Sequence, residues 1–237
     1  MRDQQGSKVE VMNTQPSSAK RNLKESKIID AAEHVFSAVG YSNAKMEDVA
    51  KRVGVSKGTV YFYFDTKENL YMAVTYRALQ TLNEYLYRSL EKDRDKKGLE
   101  KVMGLVETYM DFCDKYFLYS EVILDYMTLN RSTKFGRDQA KLTDALKESM
   151  YYRRVQDIQN LPISLITQEL RNGVADGSIK NREQPEMLYL TAWSSVIGFV
   201  KLNVAAGSNR QTLLNVDIQQ WKNYIFKILR RTLLSER

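Results

Sequence analysis

The stretch VAKRVGVSKGTVYFYF, residues 49–64, constrains the fold more than any other part of this chain. It holds two short apolar-periodic runs joined by Gly54-Val55-Ser56. Val49, Ala50 and Val53 fall at helical spacing in the first run, and Val60 and Phe64 stand four apart in the second. Gly54 permits a sharp turn, and Ser56 suits the cap of the following helix. The spacing predicts helices over about Met46 to Val53 and Lys57 to Phe64. Helices this short are unstable alone and must be braced by packing. With Val60 and Phe64 turned inward, Lys57, Thr59, Tyr61, Phe62 and Tyr63 form the front of the second helix. A helix braced behind and bare in front can enter the DNA major groove, while the helix before it crosses the backbone. The net charge of +7 and pI of about 9.3 favour an anionic partner.

The rest of the chain also reads as helix. Residues 1–21 are polar and contain Gly6, Pro16, Ser17 and Ser18, as expected of a flexible arm. The arm is either a plain tail or a segment that follows the DNA backbone through Lys20 and Arg21. A first helix is expected from Leu23 to Val39, with Asn22 and Glu25 as a capping box and Gly40 as its stop. Asp65 or Thr66 should cap a long fourth helix with Leu70, Val74, Leu79, Leu82, Leu86 and Leu90. Further helices are expected over 99–113, 120–129, 138–159, 162–172, 185–206 and 216–233. No segment shows sustained strand alternation. The expectation is an all-α protein of nine or ten helices: an arm over 1–21, a three-helix head over 22–66, and a larger helical domain over 67–237.

Several classes of function are disfavoured. Cys113 is the only cysteine and His34 the only histidine, so cysteine-rich and histidine-based metal sites are absent, as are triads. No cofactor and no metal are expected, and the chain does not read as an enzyme. No apolar run has the length of a membrane span, and the N-terminus lacks the apolar core of a secretory signal. A cytoplasmic protein is expected.

Residues 40–50, GYSNAKMEDVA, lead into the stretch above, and DTKENL, residues 65–70, follows it. Together these residues resemble the DNA-binding domain of the TetR family of bacterial transcriptional regulators. The resemblance covers residues 22 to about 71. It implies a homodimer joined by the last two long helices of each subunit. It also implies a small-molecule effector that shifts the two heads out of register with a palindromic operator. Most members repress and some activate. Carried over to this chain, the resemblance assigns Lys57, Gly58 and Thr59 to DNA contact at the start of the recognition helix. Tyr61, Tyr63 and Lys67 are assigned to phosphates. Phe62 falls at a variable base-reading position, where its ring either packs on a thymine methyl or supports the fold. The family usually has Thr or Ser where this chain has Ala44 and Lys45. The capping hydroxyl of the second helix is therefore missing, and Lys45 is expected to recover a phosphate contact as a charge.

Aromatic residues crowd the segment 109–152. Tyr109, Phe112, Tyr116, Tyr126 and Tyr151 are candidates for the lining of a pocket for a hydrophobic effector, or else for core packing. The segment 188–200 is apolar almost all round, so it must be covered on more than one face. Trp193, Val196, Ile197 and Gly198, with Trp221 and Ile225 of the last helix, are the candidate dimer interface. A monomeric core is the alternative there. A helical interaction or ligand-binding module without sequence-specific DNA binding is the alternative for the whole chain.

Overall fold

A computed structural model describes residues 16–134, 143–205 and 215–236. Every regular element among the described residues is an α-helix, which bears out the all-α expectation. In chain order they are α1 (Pro16–Asn43), α2 (Met46–Val53), α3 (Lys57–Tyr63), α4 (Lys67–Lys92), α5 (Gly98–Lys115) and α6 (Phe117–Lys134). Then come α7 (Asp144–Glu148), α8 (Met150–Ile158), α9 (Leu161–Ala175), α10 (Pro185–Ala205) and α11 (Ile218–Leu234). The chain forms two compact units that divide between Leu70 and Tyr71, inside α4 rather than before it.

The clearest departures from expectation are the start of α1 and the segment 143–159. α1 begins at Pro16, seven residues before Leu23, so Lys20 and Arg21 stand in a helix and not in an arm. Residues 1–15 of the expected arm lie outside the described residues. Asn22 caps nothing, because the helix is already under way. The expected helix over 138–159 is two short helices, α7 and α8, with Thr143 and Ser149 accepting the first backbone N–H groups of each. Ser149 takes the Tyr152 N–H at 3.3 Å and so restarts the helix where apolar periodicity alone runs on. The start of that expected helix, 138–142, lies outside the described residues.

In the N-terminal unit, Ile28, Ile29, Ala31, Ala32 and Phe36 of α1 are buried, as are Met46, Val49 and Ala50 of α2 and Val60 of α3. Gly40 interrupts α1 with a positive φ of 72°, and a last helical turn, residues 41–43, follows the kink.

In the larger unit α5 and α9 approach most closely. A Cβ on Gly98 would stand 2.3 Å from the Gly173 backbone, so two glycines permit main chain to meet main chain. The loop after α9 completes this junction. Asp176 Oδ2 accepts the Gly98 N–H at 2.8 Å, and Ser178 Oγ accepts the Leu99 N–H at 3.0 Å. Those N–H groups belong to the first turn of α5, whose own N-cap residue, Lys97, makes no side-chain cap. The same loop reaches α11: the N–H groups of Lys180 and Asn181 donate to the Leu233 carbonyl at 2.9 and 3.1 Å. Asn181 Nδ2 donates to the Thr232 carbonyl at 2.9 Å.

Candidate nucleic-acid interface

The turn between α2 and α3 is built as its sequence suggests. Gly54 closes α2 at φ 76°, a conformation that glycine adopts without strain. Its N–H donates to the Lys51 carbonyl at 3.3 Å, and the Val55 N–H donates to the Ala50 carbonyl at 3.0 Å. That pair of bonds satisfies the last carbonyls of α2 within the turn. Ser56 then starts α3: its Oγ accepts the Thr59 N–H at 3.1 Å and lies 2.9 Å from Thr59 Oγ1. Val60 is fully buried and Phe64 is 2% exposed, so the rear of α3 is fixed.

The front of α3 is open. Lys57 and Gly58 are exposed, Thr59 and Tyr63 are half-buried, and Tyr61 is exposed. Phe62 is 69% exposed and meets the Tyr63 ring edge-on at 5.3 Å between centroids. An aromatic side chain so exposed does not support the subunit core. Of the two readings of Phe62, the structural one loses its basis. Lys57 pairs with the Glu47 carboxylate of α2, and its Nζ lies 5.6 Å from the Tyr61 ring centroid. Their hydrogen bond holds the Lys57 ammonium above its ordinary range and the Glu47 carboxyl below its own. Both side chains are exposed, so the pair can open toward a competing anion. Glu47 was not singled out in the sequence. Only the fold shows that it faces the first turn of α3.

Lys45 is exposed and is the N-cap of α2 without a side-chain cap, as the missing hydroxyl implies. Ala44 beside it is buried. Lys67 differs from expectation. Its Nζ donates to the carbonyls of Tyr41 (2.8 Å), Ala44 (3.1 Å) and Ser42 (3.4 Å), and lies 4.5 Å from the Tyr41 ring centroid. The Tyr41 hydroxyl in turn donates to Glu68 at 3.1 Å. An ammonium has three protons, and here each has a carbonyl. Lys67 ties the start of α4 to the chain between α1 and α2, and a phosphate would have to displace one of those bonds.

The five aromatic candidates for the effector lining do not converge. Tyr109 borders a 40 Å³ apolar cleft with Ile166, Tyr189 and Trp193. Phe112 is fully buried among Tyr85, Tyr116 and Tyr119. Tyr126 is 1% exposed and packs on Tyr152, while Tyr151 packs on Tyr76. Aromatic crowding in the sequence therefore marks four packing sites, and only Phe112 and Tyr116 share one. A larger opening of 580 Å³ lies among α5, α6, α10 and α11. Met110, Cys113, Phe117, Phe199 and Val200 belong to its apolar lining, and Asp114, Asn203, Asp217, Gln219 and Lys222 to its polar lining. Burial pushes the Cys113 thiol up to about 12, so it is an apolar wall residue and not a nucleophile. Met110 and Cys113 recur at helical spacing in α5, a sequence signal for that part of the wall, whereas Phe117 stands beyond the break at Tyr116.

The candidate dimer residues divide. Val196 and Ile225 are buried within one subunit, at 3% and 8% exposure, so they face its own core. Trp193, Ile197 and Trp221 are half-buried, and Trp221 meets Phe199 at 5.0 Å. A Cβ on Gly198 would touch nothing within 4 Å. Leu190, within the apolar segment 188–200, and Ile228 of α11 are exposed, and so are Met187 and Leu202 of α10 and Tyr224 of α11, which the sequence reading did not name. Among the described residues, no group of His, Cys, Asp and Glu is placed to hold a metal ion, and no helix is long and apolar enough to cross a membrane.

Residues 28–74 match the family of bacterial regulatory proteins described as the tetR family. The transcriptional activator FasR of Mycolicibacterium smegmatis is 32% identical over 94 residues, 40% of this chain and 42% of that protein. IcaR of Staphylococcus epidermidis, a negative transcriptional regulator of the icaADBC biofilm operon, is 27% identical over 118 residues, 49% of this chain and 63% of that protein. Both matches thus span less than two thirds of the relative's length. The fold extends further: the transcriptional regulator FadR of Bacillus subtilis, solved with stearoyl-CoA, superposes with a TM-score of 0.60 over 87% of this chain and 98% of that one, at 18% identity. The match to the tetR family of bacterial regulatory proteins thus rests on residues 28–74, the segment that carries α2 and α3.

Proposed function

We propose that this chain is a ligand-responsive transcriptional regulator that binds a palindromic operator as a homodimer. The observation that carries the reading is α3: capped by Ser56, fixed from behind by Val60, and presenting Phe62 at 69% exposure beside Lys57 and Tyr61. Lys57, Gly58 and Thr59 meet DNA at the start of the helix. Tyr61 and Tyr63 reach phosphates, as does Lys45 from α2, and Phe62 packs on a base edge. Lys67 supports this surface from behind and reaches a phosphate only by releasing a carbonyl.

The exposed apolar faces of α10 and α11 are covered by a second subunit, with Gly198 giving close approach. The effector is a hydrophobic small molecule, released or admitted through the 580 Å³ opening. Stearoyl-CoA, the molecule held by the FadR structure, is the first probe to try. Repression is the proposed sign, as for IcaR. A regulator of this kind works in the cytoplasm.

The test is selection of bound duplexes from a random DNA library by purified protein at fixed salt. An enriched palindrome supports the reading. A folded, ligand-stripped dimer that enriches no sequence refutes it.

A further inference from the structure

From Ala19 to Lys27, α1 has no buried stripe. Every described side chain from Ala19 to Lys27 is exposed or half-buried, and burial begins only at Ile28. A polar helical segment without a buried stripe has little to hold it. Its charge is also one-sided: Lys20, Arg21, Lys24 and Lys27 stand against Glu25 alone. Lys20, Lys24 and Lys27 are spaced four and three apart, so they share one face and repel one another.

The segment is nevertheless joined to the recognition helix. Arg21 stands seven residues before Ile28, two turns back along the stripe by which α1 packs inward, so its side chain points the same way. There the Arg21 guanidinium lies over the Phe62 ring, with Cζ 5.9 Å from the centroid. A cation placed over an aromatic face restrains the ring and still has N–H donors directed outward.

We propose that this extension of α1 is a second DNA-contacting element, coupled to the recognition helix through Arg21 and Phe62. It rests on the DNA-binding reading above. Duplex DNA is the partner that fits, because a phosphate row relieves the repulsion along the lysine face. Lys20, Lys24 and Lys27 lie along the backbone beside the base pair that Phe62 touches. Arg21 is a positioning residue that fixes the Phe62 ring and binds a neighbouring phosphate.

The experiment compares full-length wild type with Arg21→Ala, Arg21→Lys, Phe62→Ala and the triple variant Lys20→Ala/Lys24→Ala/Lys27→Ala. All five positions are exposed, so each variant should melt as wild type does. Two readouts are taken: the salt dependence of binding to any duplex, and base preference by library selection. Each phosphate contact contributes about 0.9 to the slope of log K against log salt. The triple variant should lose about 2–3 from that slope and Arg21→Ala about 1. Arg21→Ala and Phe62→Ala should relax preference at the same base pair. Arg21→Lys should keep the slope while relaxing that base pair. Wild-type slopes in the triple variant and Arg21→Ala overturn the proposal. So does Arg21→Ala with full base preference where Phe62→Ala loses it. A wild type that enriches no sequence refutes the operator reading instead, and the slopes still decide the extension. Absence of any duplex binding overturns both.

Discussion

Replacing Gly98 with alanine tests the junction of α5 and α9 directly. Gly98 does not have a positive φ, so alanine suits its backbone. The obstacle is space. The new Cβ would stand 2.3 Å from Gly173 Cα and N and 2.9 Å from the Glu169 carbonyl oxygen. Carbon atoms in contact sit about 3.5–4.0 Å apart, so the two helices must separate by roughly 1.2 Å or more. All three obstructing atoms are main chain, and no side chain can swing aside. A shift of that size also lengthens the 2.8 Å bond from Gly98 N–H to Asp176 beyond hydrogen-bonding range. Overpacking costs about 1–3 kcal/mol, and two weakened caps add about 0.5–1.5 kcal/mol each. Alanine's better helix propensity offsets at most about 1 kcal/mol. The net loss is about 2–4 kcal/mol, a fall in Tm of roughly 4–16 °C for a unit of this size. Far-UV circular dichroism melts would measure it. Melting of Gly98→Ala together with wild type would refute the close approach of α5 and α9.

Lys67→Met should destabilise the N-terminal unit by about 1–3 kcal/mol, since it removes a charged donor to three carbonyls; unchanged urea unfolding would return Lys67 to a purely phosphate-binding role. Asp176 has its carboxyl held below the usual range, first by the Gly98 N–H and then by Ser178. Its contribution is therefore fully present above the unfolded carboxylate pKa of about 3.9 and is lost as pH falls through the lower folded value. Asp176→Asn should flatten that acid limb, and an identical pH–stability profile would show the cap to be idle. Gly198→Trp should shift the protein from dimer to monomer by light scattering; an intact dimer would move the interface away from this face.

The parts legible in the sequence were those settled locally. Gly54 and Ser56 fix the α2–α3 turn within a few residues, and both read true because their bonds go to near neighbours. The early start of α1 was not legible, since residues 16–22 have no apolar periodicity to announce a helix. Lys67 looked like a phosphate ligand because its position in the sequence says nothing of the three carbonyls folded onto it. The effector lining was misread for a related reason. Tyrosine abundance records how many rings need packing, but only the fold shows that Tyr109, Phe112, Tyr126 and Tyr151 pack in different places.

The loop after α9 bears on the order in which the larger unit folds. It holds the first turn of α5 with Asp176 and Ser178 and grips the last turn of α11 through Lys180 and Asn181. These partners are 78 and 51 residues apart along the chain. While the chain is being made, α5 emerges with its leading N–H groups facing water, and their acceptors are not yet synthesised. The loop that supplies them is tied to α9 by the Ile179 N–H on the Gly173 carbonyl, and gains its second anchor when Thr232 and Leu233 have emerged. The last support for the start of α5 therefore arrives with the final turn of α11. A truncation that removes that turn should loosen a helix more than a hundred positions upstream, where no residue has been changed.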